Sequence, residues 1–401
     1  MSAPPRRQAG FSIVELMVSV VISLLALSLA VRLYVSSEQN KQSSLGSSDT
    51  MQNGMVALFS LNRDASQAGW GLNDPLVAGC DTLFSDGHGF SLAKSKRDNA
   101  EIKPLAPVVI EVGKDVANKG AESDKITFYA GSAIGGTGSL RLTLDYGGEG
   151  TLSVDRFPYG FARGDAILVA PESIVAPVPK CTIGQISSDP SVQAVVGVNT
   201  IDIAGGPANR YNGAGGLGAN YTNGTARVFN LGPADALSFH TWTTKNGFLT
   251  LQATDLGSDS KKEQTVLDNI VAVKAQYGFD TSAVFDPEVG MNVTQWSAEM
   301  VDADKDTVTG GPGDWQRIAA VRLAVVARSK MPDKPAADGS CSATTAMPQV
   351  FTKAEPSGVV AVPITVKVDI AGDPIDWTCY RYRVFETVVA MRNAAWRPRA
   401  Q

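Results

Sequence analysis

The sequence predicts an α+β molecule, one very long N-terminal helix followed by a large β-rich body. Three observations lead there. Residues 16–31 carry no charge, and Ser19, Ser23 and Ser28 are the only polar side chains among them. No proline interrupts 38–68, where Leu45, Met51, Met55, Leu58, Phe59 and Leu61 recur at helical spacing. Beyond Trp70 the chain breaks into short alternating runs among its 39 glycines, the look of β-rich exported domains.

The helix is expected to run from Phe11 to about Ala68, ended by Gly69 and Gly71, and to reach about 85 Å. Its outer half is expected to lay Met55, Leu58, Phe59 and Leu61 against the body. Gly46 and Gly54 are read as points of flexibility. Strands are expected at 125–130, 166–170, 236–243, 248–253, 271–279, 318–327 and 381–391. The stretch 318–327 also suits a helix. Asn246-Gly247 between two of these runs is a strong hairpin signal. Glycine-rich 203–225 and residues 332–342 read as loops.

The apolar stretch, extended to 13–35, is long enough to cross a bilayer as one helix. Arg6 and Arg7 precede it, so the N-terminus is expected in the cytoplasm and the remainder outside. A secretory signal is cut after its apolar stretch. Here the candidate cut, after Gly10, comes before it, and the anchor would stay on the mature protein. Glu15 is then an intramembrane acid, costly unless paired. It stands four residues from Phe11, one helix face away from a new amine, of its own chain or of a neighbour.

Gly10, Phe11, Glu15 and the apolar run resemble the class III signal of type IV pilins and pseudopilins. The resemblance implies that Gly10 is the prepilin peptidase site, Phe11 the N-methylated first residue, and Glu15 the acid used in recruiting the subunit. Further blocks resemble the minor pilin PilW family: 266–271 with 275–280, Trp315 with 320–329, and 380–387 with Arg392, Asn393 and Trp396. The implied fold is a type IV pilin-like lollipop, a long helix packed on an antiparallel sheet with large β- and loop-rich insertions. Its parts are a cleaved leader (1–10), a transmembrane and pilus-spine helix (11–35), an amphipathic continuation (36–69) and a periplasmic globular domain (70–401). The implied role is a minor pilin that helps start pilus assembly at or near the tip. Its implied partners are other minor pilins, the major pilin, a tip adhesin, the prepilin peptidase and the inner membrane. It would sit in that membrane as a single-pass protein before assembly and at the pilus tip or cell surface after it. Alternatives are a large tip-proximal pseudopilin of a type II secretion system, or a pilus-borne module that binds a surface or DNA.

The chain has 401 residues and a net charge of −5, which argues against a broad nucleic-acid-binding face; no nucleic-acid partner is expected. Four cysteines in an exported chain read as two disulfides. Of three pairings, spacing favours Cys80–Cys181 and Cys341–Cys379. With His88 and His240 the only histidines and no catalytic motif, an enzyme is not expected. Nor is any cofactor, with one exception. Asp302, Asp304 and Asp306 alternate as calcium ligands do. The EF-hand pattern fails at Thr307, where glycine belongs, and at Gly313, where the bidentate glutamate belongs. A solvated acidic loop is the other reading of these residues.

Overall fold

The computed structural model describes residues 12–395, except 118, 134–137, 149, 173–179, 194–197, 207–208, 214–215, 257–258 and 284–289. Gly10, Phe11 and Trp396 lie outside the described residues. One helix, Ile13–Gln67, runs unbroken for 55 residues, about 82 Å at 1.5 Å per residue. It passes straight through Gly46 and Gly54.

The distal half of this helix lies on a four-stranded antiparallel sheet. In spatial order the strands are Gln295–Ser297, Ile270–Phe279, Ile318–Arg328 and Tyr382–Ala390. The helix packs across the last two. Ile318–Arg328 is thus a strand, and its burial on both faces explains its ambiguous sequence. Val321, Leu323 and Val325 join the core under the helix, while Ala324 and Val326 pack against Val350, Phe351, Val366 and Val368 on the other side. A strand covered on both faces loses the apolar–polar alternation that marks a half-exposed one.

A five-stranded sheet follows, ordered Gln264–Asp268, Phe248–Ala253, Ser238–Lys245, Lys125–Ala130 and Val108–Glu111. Its hairpin turns at Asn246 and Gly247, with φ of 52° and 79°. Two successive positive φ values are what the two-residue turn with right-handed strand twist requires, and Asn-Gly supplies them cheaply. A buried ion pair, Lys274 to Asp124, joins this sheet's neighbourhood to the first. Asp124 also accepts the N–H groups of Gly113 and Ala275 at 2.9 Å, which offsets much of its desolvation.

The remaining large sheet has six strands, ordered Pro104–Leu105, Cys80–Phe84, Cys181–Gln185, Asp165–Pro171, Ala226–Pro233 and Ser139–Arg141. Along Asp165–Pro171 side chains alternate between two cores. Ala166, Leu168 and Ala170 face the main core; Ile167 and Val169 face a second one with Leu152, Ile201 and Val228. The disulfide Cys80–Cys181 ties the two parallel strands of this sheet, and Cys341–Cys379 closes the C-terminal loop. This is the pairing that spacing favours. The described parts of 203–225 contain no named strand, yet Tyr211, Leu217 and Tyr221 are buried, so the loop is anchored by aromatics.

Candidate functional site

Over Ile13–Val35 the helix buries nothing. Every large apolar side chain from Ile13 to Val35 stands about half exposed or more, and the segment is long and apolar enough to span a membrane. Two of its serine hydroxyls bond back to the helix. Ser19 donates to Glu15 O at 2.8 Å and Ser23 to Ser19 O at 2.7 Å. Such back-bonding removes most of the penalty for a serine in hydrocarbon.

Glu15 is the only charge between Arg7 and Arg32. The helix begins with Ser12 as N-cap. The Val14 N–H donates to Ser12 Oγ at 3.3 Å, and the Ser12 N–H donates to Glu15 Oε2 at 3.4 Å. This is a reciprocal capping box, and its signature, Ser-x-x-Glu at 12–15, is legible in the sequence. The carboxylate also sits at the positive end of the helix dipole. Glu15 therefore already has a local partner in the isolated chain, while one oxygen remains for a partner outside it.

The seat of the distal half differs from expectation. Among the described side chains, the buried helix positions are Gly46, Thr50, Gly54, Ala57, Leu61, Asp64 and Ala65, most of them small. Of the four side chains expected against the body, Leu58 and Leu61 are there, whereas Met55 and Phe59 face solvent, 54% and 67% exposed. The reason is close approach. A Cβ on Gly54 would overlap the Phe385 ring, so this glycine lets the helix lie down on the sheet and is not a hinge. Thr50 Oγ1 reaches Arg328 O at 3.2 Å, and Asn53 Nδ2 donates to Asp268 Oδ1 at 2.7 Å. At the helix end, Asn393 Nδ2 donates to the Gln67 and Ala68 carbonyls at 3.1 and 3.2 Å.

His240 fastens the same end. Its Nδ1 lies 2.7 Å from Asp64 Oδ2 on the helix, and its Nε2 lies 2.9 and 3.0 Å from the two Asp255 oxygens. Trp242 Nε1 donates to Asp64 Oδ2 at 2.8 Å. Burial opposes charge on the imidazole, but the two carboxylates prevail and raise its pKa to about 9. Ser238 Oγ lies 3.1 Å from Nε2, so serine, histidine and aspartate are lined up as in a hydrolase. A ring protonated at both nitrogens cannot take a proton from that serine, so the cluster is a clamp and not a catalytic base.

In the acidic loop, ligand oxygens of Asp302, Asp304 and Asp306 lie within 4.8 Å of one another. Thr307 takes φ 76°, the left-handed turn for which an EF-hand uses glycine. The loop is organised by fully buried Asp314, which accepts N–H groups from Ala303, Asp304, Gly310 and Gly311 at 2.5–3.2 Å. Burial raises the Asp314 pKa to about 6 despite these bonds. The three aspartates could hold a divalent cation such as calcium, as a weak site without the bidentate glutamate.

An open groove of about 820 Å³ lies elsewhere, lined by Arg156, Phe157, Tyr159, Phe161 and Asn230 among others. It is edged by Ser139–Arg141, an outer strand of the six-stranded sheet, far in sequence from the helix.

Comparison with known families gives two matches. Residues 241–393 match the model described as Type IV Pilus-assembly protein W. Residues 5–31 match the Prokaryotic N-terminal methylation motif. The first takes in the helix-facing sheet, the second the start of the helix, and residues 32–240 fall outside both. No curated protein and no solved structure matches the chain.

Proposed function

We infer that this chain, a type IV pilus minor pilin of the PilW family, helps initiate pilus assembly from the inner membrane and ends at or near the pilus tip. It is a structural assembly subunit, not an enzyme. The observation that carries the reading is a single rod with two halves. One half is apolar all round and leans on nothing in its own chain; the other is seated on a sheet within the matched region.

In this reading the prepilin peptidase cuts after Gly10 and Phe11 becomes the methylated terminus. The anchor (11–35) holds the subunit in the inner membrane, with the body (70–401) periplasmic. Assembly draws the apolar helix from lipid into a bundle of helices, with little change in the polarity around it. Glu15 is the group for which that transfer is difficult. The capping box satisfies part of its hydrogen-bonding need, and the amine of a neighbouring subunit supplies the countercharge. The body would meet other minor pilins, the major pilin and a tip adhesin. The test is Glu15→Val. It should stop incorporation into pili while leaving leader cleavage and both disulfides intact. Pili that contain the variant at the normal level would overturn the reading. Normal pili with failed enzyme export would instead assign the chain to a secretion pseudopilus.

A further inference from the structure

We propose that a cavity beside the C-terminal disulfide loop binds a small neutral saccharide. It holds about 340 Å³, at the lower end of the range for small-ligand sites. Three pieces of chain far apart in sequence meet there. Lys119 comes from the short hairpin Asp115–Val116 and Gly120–Ala121, and Arg328 from the end of the strand Ile318–Arg328. The third piece, 368–382, carries Asp369, Asp376, Trp377 and Tyr380. The chemistry of this cavity is independent of the assembly role inferred above.

Its walls are set by bonds within the chain. The Arg328 guanidinium lies 4.2 Å from the Tyr380 ring centroid and donates to Asp373 Oδ2 at 2.6 Å. The Ile375 N–H donates to Asp373 Oδ1, and the Tyr382 hydroxyl to Trp377 O, both at 3.1 Å. Asp376 Oδ1 caps the turn Trp377–Cys379 by accepting the Thr378 N–H at 2.9 Å. The disulfide Cys341–Cys379 pins the same turn. Groups already held in place lose little freedom when a ligand arrives.

The lining selects the ligand class. Aspartates 369, 373 and 376 nearly balance one lysine and one arginine. The acids resist an anion and the two bases resist a cation, so an uncharged ligand is favoured. Lys119 Nζ and Asp369 Oδ2 stand 3.7 Å apart, too far for a hydrogen bond between them. One hydroxyl can accept from the first and donate to the second, because it is both donor and acceptor. Asp376 Oδ2 makes no hydrogen bond among the described residues and is a further acceptor. Half-buried Trp377 adds an aromatic face, whose negative potential attracts C–H groups. A sugar ring is uncharged, carries hydroxyls at its rim and presents C–H groups on a flat face, and so meets each of these demands.

Saturation-transfer difference NMR of the full chain tests this, in a polyoxyethylene detergent, which has no sugar headgroup. The probes are glucose, galactose, mannose and N-acetylglucosamine. At least one should receive saturation from the protein. Lys119→Ala and Asp369→Ala each remove one hydrogen-bonding charge from the rim and should weaken that sugar about tenfold. Both positions are partly or fully exposed, so thermal unfolding should stay unchanged and separate lost binding from lost folding. No transfer to any of the four sugars would overturn the proposal. So would transfer to tetramethylammonium in their place, which would make the cavity a cation site. Sugar binding that survives both variants but is lost in Tyr159→Ala would also overturn it, moving the site to the groove beside Ser139–Arg141.

Discussion

Glu15 has two candidate roles, and one substitution separates them. As a cap it needs only an acceptor, which glutamine also provides at the third helical position. As a partner for an amine it needs its charge. Glu15→Gln keeps the first and removes the second. If charge governs recruitment, pili should lack the Gln variant as fully as the Val variant, judged by immunoblot of sheared pili. Recovery with Gln would reduce Glu15 to a cap. His240 gives a prediction about pH. Its folded pKa, about 9, exceeds the unfolded 6.5, so the clamp's contribution is complete below about pH 6.5 and fades as pH rises through 9. The shift corresponds to on the order of 3 kcal/mol. Thermal unfolding of the full chain in detergent should show a midpoint that falls between pH 7 and 10, and His240→Gln should flatten that slope. An unchanged slope would remove the clamp from the account. The spacing of His240 on an alternating strand was legible, but its two acids lie 176 and 15 residues away, and only the fold brings them together.

At the scale of elements, the helix was legible and its orientation only in part. Length, apolarity and the absence of proline fix a rod from near the N-terminus to Gln67. Hydrophobic periodicity points Met55, Leu58, Phe59 and Leu61 inward, which holds for Leu58 and Leu61 and fails for Met55 and Phe59. Periodicity reports which face is greasy, not which partner covers it. The face turned to the sheet is set by close approach, at Gly54 against Phe385, as well as by bulk, at Leu58 and Leu61. Gly54→Val should therefore destabilise the domain by about 2 kcal/mol through overlap with Phe385, although valine is the better apolar residue. Denaturant titration would show it, and a neutral result would mean the helix can lift without cost. Hairpin and strand signals fared better, because Asn246-Gly247 and the alternating runs around it specify local geometry. The acidic loop was half legible. Its three aspartates are evident in the sequence, whereas buried Asp314, which shapes the loop, reads there as one more surface acid.

At the scale of the whole molecule, two covalent ties hold a body with several sheets. Cys80–Cys181 spans 101 residues and joins strands of a sheet that lies outside the matched region. In a chain-entropy estimate a loop of that length contributes about 4.7 kcal/mol. Cys80→Ser with Cys181→Ser should loosen the six-stranded sheet, seen as faster proteolysis there, with the helix-facing sheet left intact. Simultaneous loss of both would mean that the body unfolds as one unit. The order of strands in residues 75–240 could not be read from the sequence, because its sheets are assembled from short strands paired across long separations, as with Cys80–Phe84 against Cys181–Gln185. One measurement bears most directly on what the whole subunit does. Surface pili are counted in a clean deletion, with and without the retraction motor. Loss of pili that returns when retraction is disabled is the predicted result, since a subunit that primes assembly accelerates initiation without forming the fibre. Normal piliation in the deletion with retraction active would contradict it.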